Sequence, residues 1–284
     1  MRRFPRIFSD LYVNMISAGE NSGALDVVLN RLADFTESQN RLRNKIRATL
    51  AYPVIMIFLS IGIVSFLMTY VVPKITKLFE STKLTLPLPT VILIKISNFL
   101  KQNWWLMLIG LLLLVIFSQW YGRTPRGRKR YDRIALKMPI FGKLILKIAV
   151  SRFAKTLSTL LSSGLPILKA MDIVKTVVGN VILSESIEKV KENISEGSSI
   201  SGPLKNTKMF PPIVIHMIAV GEQTGELENM LARVSDAYDN EVDTSITALT
   251  SVLEPLILVV MGGVVLFIVL SILLPMLDLT SGIQ

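Results

Sequence analysis

The sequence predicts an all-α integral membrane protein, with three transmembrane helices and two homologous cytoplasmic helical-bundle domains in parallel repeat. Three observations carry that expectation. Of the 284 residues, 51% are hydrophobic and only 18% charged, and the mean hydropathy of +0.53 is too high for a single soluble domain. Three stretches, 48–73, 104–120 and 255–277, contain no charged residue, and each falls within the range of lengths that helices use to cross a bilayer. Finally, Phe8–Pro73 returns as Phe210–Pro275 under a constant shift of 202. The shift pairs Gly19 with Gly221, Glu20 with Glu222, Gly23 with Gly225, Leu25 with Leu227, Arg31 with Arg233, Pro53 with Pro255 and Pro73 with Pro275. A gapless offset over such a length marks a duplication.

Taken in order, residues 1–47 read as a partial first cytoplasmic helical domain. Leu11, Met15 and Ala18, with Ile7 and Tyr12 beside them, recur at helical spacing from Phe8 onward. Gly19 and Gly23 bracket a turn that interrupts this helix, and Ser22 can cap the next. There Leu25, Val28, Leu29, Leu32 and Phe35 form one apolar stripe. Arg41, Arg43, Lys45 and Arg47 then precede the first span, 48–73, and place its start in the cytoplasm. Pro53 falls near that start, where a missing N–H is tolerated. Residues 74–103 read as a periplasmic connection, with Leu84-Thr85-Leu86-Pro87-Leu88-Pro89 as a turn or extended piece that breaks any helix. The second span, 104–121, has Trp104, Trp105, Trp120 and Tyr121 at its ends as interface anchors.

The second cytoplasmic domain is expected over 122–254. It opens with a basic block, Gly122–Val150, in which nine Lys and Arg stand against Asp132 alone. The block directly follows an apolar run and has little interleaved aromatic character, so it reads as a cytoplasmic topology signal rather than a nucleic-acid surface. Phe153, Leu157, Leu160 and Leu161 share a helical face, Gly164-Leu165-Pro166 stops and restarts the chain, and amphipathic helices follow through Met171 and Ile187. Glu196–Ser201 is a loop opening a short helix. The second copy then brings Pro211–Val220, its glycine turn, and Thr224 as cap of a long helix through Leu231 and Tyr238. Phe210–Pro255 holds eight acidic residues against Arg233 alone. That surface can dock a partner electrostatically or be offset by the basic block within the same molecule. Transmembrane helix 3 follows at 255–277 and a periplasmic tail at 278–284. A single span between the copies gives both hairpins the same orientation, a parallel rather than inverted repeat.

The residues offer little chemistry. There is no cysteine, hence no disulfide, zinc finger or thiol catalysis. No phosphate-binding loop and no EF-hand spacing occur, so neither cofactor nor metal is expected. His216 has no His or Cys partner and reads as a side chain satisfied within a helix bundle rather than a catalytic base. The basic N-terminal residues are not followed by an apolar core, so no signal peptide is expected. Candidate partner contacts are Glu20 and Glu222 in the matching turns and Glu254 beside Pro255, with favourable placement near a helix N-terminus as the plainer reading of the first two and a membrane-boundary position as that of Glu254. Gly19, Gly23, Pro53, Pro73, Gly221, Gly225, Pro255 and Pro275 are expected to act structurally, at turns and spans. Gly262 and Gly263 suit close helix packing.

Ala18-Gly19-Glu20-x-x-Gly23-x-Leu25 and Val220-Gly221-Glu222-x-x-Gly225-x-Leu227 resemble the F-protein family of bacterial type II secretion systems, shared with the inner-membrane platform protein of type IV pili (GspF/PilC). Lys45-Ile46, Tyr52-Pro53, Val71-Val72-Pro73, Arg152–Leu157, Ser163-Gly164-Leu165-Pro166 and Leu253-Glu254-Pro255 extend the resemblance over essentially the whole chain. It implies a multi-pass scaffold of the bacterial inner (cytoplasmic) membrane, without enzymatic activity, coupling a cytoplasmic assembly ATPase to pilin or pseudopilin fibre assembly, and forming a homo-oligomer among other inner-membrane components. In the family each repeat begins with the helices present here at 152–166. Shifted back by 202 they would precede residue 1, which implies a first repeat lacking about half its helices, with an apolar face needing cover. The alternative of another class is a small oligomeric membrane transporter or channel, which requires polar groups near mid-span.

Overall fold

The computed structural model describes residues 10–23, 25–80, 87–139 and 141–281. The N-terminal residues through Ser9, the Leu84–Leu86 part of the expected turn and the last three residues of the expected tail lie outside them. The described chain is helical: α1 (Asp10–Ser22), α2 (Leu25–Phe66), a π turn (Leu67–Val71), α3 (Val72–Glu80), α4 (Leu88–Arg123), α5 (Pro125–Lys137), α6 (Phe141–Ser162), α7 (Ile167–Val177), α8 (Val181–Ser195), α9 (Ser201–Asn206), α10 (Pro212–Thr224) and α11 (Leu227–Ser281). It divides into two compact units, Met1–Ile46 with Tyr121–Ile246, and Arg47–Trp120 with Thr247–Gln284.

The first unit is a helical bundle with one continuous core. α6 is buried on most of its circumference through Ala149, Val150, Phe153, Ala154, Leu157 and Leu160. Phe153 and Phe210 meet with ring centroids 4.9 Å apart. Met171 and Val174 from α7, Leu183 and Ile187 from α8, Val214 and Ile218 from α10, and Leu231 and Val234 from α11 close around them. Leu11 and Met15 of α1 and Val28, Leu32 and Phe35 of α2 belong to that same core. The apolar stripe of the first hairpin thus finds its cover here, as the hydrophobic effect demands of a half-apolar helix. Asn180 caps α8, its Oδ1 accepting from the N–H groups of Ile182 and Leu183 at 2.9 and 3.3 Å. The acidic stripe of α11 is met from within. Lys147 pairs with Glu241 at 3.0 Å and Lys155 with Asp236 at 3.8 Å, Ser151 bonds Asp239, and Lys45 of α2 pairs with Asp243.

Among the described residues, three helices are long and apolar enough to cross a membrane, and the second unit gathers their apolar parts. Its large hydrophobic side chains face outward, with Phe58 71% and Val259 73% exposed. That is the pattern of a bundle whose solvent is lipid. A small interior cluster joins Met68, Val72, Leu93 and Ile268.

Pro53 and Pro255 lie inside α2 and α11, which run unbroken from the hairpins into the apolar segments. In hydrocarbon a helix is the arrangement that satisfies a lone backbone segment, and that constraint outweighs the cost of about 3 kcal/mol of an interior proline. The stretch 74–103 is helical on both sides of the 81–86 segment, and Pro89 lies in the first turn of α4, where no N–H is needed. Gly19 and Gly221 do not interrupt helices. α1 and α10 continue through them, and only Gly23 and Gly225 adopt positive φ, 71° and 72°. A Cβ on Gly19 or Gly221 would lie 3.1 or 2.9 Å from the Cα of Leu25 or Leu227, so these two glycines permit close approach of the next helix.

An ion-pair cluster ties α7 to α8. Lys175 and Lys191 donate to Asp172 at 2.8 and 2.7 Å, and Lys175 also to Glu188. The hydrogen bond from Lys175, then that from Lys191, hold the Asp172 carboxyl below its usual range, and Asp172 holds both ammonium groups above theirs. A depressed carboxylate contributes stability above its unfolded value, about 3.9, and loses it as pH falls through the folded one. Asp172→Asn is therefore expected to cost up to about 1 kcal/mol at neutral pH, discounted for exposure. The difference from the parent in thermal unfolding should disappear on acidification; a pH-independent difference would contradict the pairing.

Candidate functional site

The membrane unit is organised by two prolines at matching positions of the repeat. A helical N–H at 275 would bond the carbonyl of Ser271, four residues back, but Pro275 has none. In the first copy the π turn shifts the pattern by one: the Val72 N–H bonds the Leu67 carbonyl, so the next donor, at Pro73, would have served Met68. Carbonyls without donors inside apolar helices are costly, about 1–3 kcal/mol each by mutational measure. α4 supplies both missing donors. Thr90 Oγ1 donates to the Ser271 carbonyl at 2.5 Å, and Ser97 Oγ to the Met68 carbonyl at 2.5 Å. Thr90, Leu93 and Ser97 are the buried residues of α4. Their spacing of three, four and seven puts them on one face, so a single helix latches both copies.

Toward the other end of these spans, the Tyr52 hydroxyl donates to Glu254 Oε1 at 3.3 Å. These positions are themselves equivalent, 202 residues apart. The bond thus joins α2 and α11 at one shared position of the repeat.

The other expected site residues separate. Glu222 does not cap the helix that follows it. Its carboxylate accepts the N–H groups of Ile200 and, at 3.0 Å, of Ser201, capping the start of α9 from α10. Glu20 is exposed. Thr224 back-bonds to the Val220 carbonyl at 2.9 Å instead of capping α11. His216 is exposed on α10 rather than enclosed by the bundle. Among the described residues no group of three His, Cys, Asp or Glu could hold a metal ion. The sequence reading missed Thr90 and Ser97. Lys95, Asn98 and Lys101 surround them in sequence, so nothing local sets these two hydroxyls apart.

The fold and this latch define a helical membrane scaffold in which two buried hydroxyls of one helix hold its neighbours. The chain matches the family described as type II secretion system protein F over residues 1–73 and 153–275, segments that end at the two latched prolines. It is 40% identical to a type IV pilus assembly protein PilC of Myxococcus xanthus, over 100% of this chain and 68% of that protein. It is 40% identical to a type II secretion system protein F of Vibrio cholerae over 98% and 68%, and 42% to a PilC of Thermus thermophilus over 95% and 67%. The chain belongs to the type II secretion system protein F family, whose members are structural platform proteins and not enzymes.

Removing either hydroxyl strands a carbonyl. Thr90→Val and Ser97→Ala are each expected to cost about 1–2 kcal/mol of stability in detergent or bilayer, read as a lower thermal midpoint. Asn98→Ala, exposed on the same helix, serves as the comparison. Losses no greater than that comparison would contradict the latch.

Proposed function

We propose that this chain is an inner-membrane platform of a type II secretion or type IV pilus machine, coupling a cytoplasmic assembly ATPase to pilin or pseudopilin subunits joining a fibre. In this reading both hairpins and the basic block lie in the cytoplasm, with 74–103 and 278–284 periplasmic, and copies of the chain associate with one another and with other inner-membrane components. The observation that carries it is the double latch: because α4 holds both repeat spans through Thr90 and Ser97, movement imposed on one copy is conveyed to the other. Exposed Glu20 and Glu254 are proposed as contacts for basic residues of partners, whereas both oxygens of Glu222 are engaged by α9.

Deletion of the gene should abolish fibre assembly or secretion while the purified ATPase still hydrolyses ATP. Complementation with Thr90→Val/Ser97→Ala should restore the protein to the membrane but fibres at well under half the parental level. Normal fibres in the deletion strain would overturn the proposal.

A further inference from the structure

α5 leaves the end of the second span by a fixed corner. Thr124 N-caps α5: its hydroxyl donates to the Tyr121 carbonyl at 2.7 Å and accepts from the Gly127 N–H at 3.1 Å. Pro125 sets the first helical position. A Cβ on Gly127 would lie 1.9 Å from the Tyr121 oxygen, so α5 presses on the last turn of α4 where only glycine fits. Tyr131 meets Tyr121 edge to face at 5.8 Å, and Arg130 donates to the Tyr121 hydroxyl at 3.1 Å. Chain length alone keeps Ile134 within about 20 Å of Trp120, at 1.5 Å per helical residue.

The two sides of α5 differ. Its inner side is committed to the bundle: Asp132 accepts the Val181 N–H at 2.7 Å and Lys129 pairs with Glu185 at 2.6 Å. Its outer side carries Arg126, Arg130, Arg133 and Lys137, spaced four, three and four, all exposed. Among the described residues none of these four is in an ion pair with a carboxylate. Beside that row Ile134 is 59% exposed, and Met138 and Phe141 continue the apolar strip past the helix end, also exposed. A topology signal needs positive charge only. It gives no reason for isoleucine, methionine and phenylalanine to face outward beside the charges.

We propose that the outer face of α5 docks on anionic phospholipid headgroups of the bilayer that α4 crosses. The basic row engages phosphates, while Ile134, Met138 and Phe141 enter the boundary between headgroups and acyl chains. Two features select this occupant: continuity with the basic end of a span, and the pairing of a cationic row with an apolar strip that interfacial helices use. Each Lys or Arg near an anionic surface strengthens attraction roughly fivefold, so four together bias the corner firmly toward the membrane.

The chain has no cysteine, so Ile134→Cys in the full-length protein can carry a single environment-sensitive fluorophore. The protein is reconstituted in nanodiscs of phosphatidylcholine alone or mixed with phosphatidylglycerol, with Ile213→Cys on exposed α10 as the aqueous reference. The label at 134 should shift to shorter wavelength and resist an aqueous quencher severalfold better with phosphatidylglycerol, the effect falling with salt. Arg126→Gln/Arg133→Gln/Lys137→Gln should abolish the dependence on phosphatidylglycerol while circular dichroism and the reference label stay unchanged. Equal quenching at 134 and 213 in both lipids would overturn the proposal. So would protection that arises only when a second purified protein is added, which would make this face a protein-docking surface.

Discussion

A proline inside an apolar helix removes a donor, and where packing buries the freed carbonyl water cannot replace it; the membrane unit is arranged around that deficit. Pro73 and Pro275 leave the carbonyls of Met68 and Ser271 without their helical partners. Two short hydroxyl side chains from α4 fill both vacancies. Van der Waals packing alone selects helix neighbours weakly in lipid, because the tails are as apolar as the side chains. A hydrogen bond to an orphaned carbonyl is directional and has few substitutes, so it fixes which face of α4 meets which turn of each repeat span. The small cluster of Met68, Val72, Leu93 and Ile268 then fills the space beside these bonds.

Duplication gives the latch its logic. The two prolines hold matching positions of the repeat, yet their surroundings differ: a π turn precedes Pro73, while α11 continues through Pro275 as an α-helix. The shared helix between the copies absorbs the difference by offering donors two turns apart. The Tyr52–Glu254 bond joins the copies at equivalent positions. In the bundle unit the same economy recurs. Gly221 lets α11 approach α10 closely, and neighbouring Glu222 caps α9, so one turn serves two contacts.

Much of this was legible in the sequence for physical reasons. Absence of charge over 48–73 and 255–277 can be read directly because burial of charge in hydrocarbon is costly, and a constant offset exposes a repeat without any structural knowledge. The αL turns at Gly23 and Gly225 follow from glycine itself. Less legible were the places where distant segments decide. Gly19 and Gly221 look like turn residues until the approaching Cα of Leu25 or Leu227 is seen. Glu222 looks like a cap for the helix after it, but α9 approaches it from the other direction. Prolines 53 and 255 look like helix starts because propensity is local, whereas the requirement that backbone in lipid stay hydrogen-bonded acts on the whole span. Thr90 and Ser97 carry no pattern of their own; they acquire meaning only beside carbonyls that prolines far along the chain have freed.

The most direct measurement of the central claim is a double-mutant cycle between Thr90→Val and Pro275→Ala, read by unfolding free energy in bilayers. Alanine at 275 restores an N–H for the Ser271 carbonyl, so the account predicts that most of the loss from Thr90→Val vanishes in that background, a coupling of about 1 kcal/mol. Strict additivity of the two substitutions would contradict it.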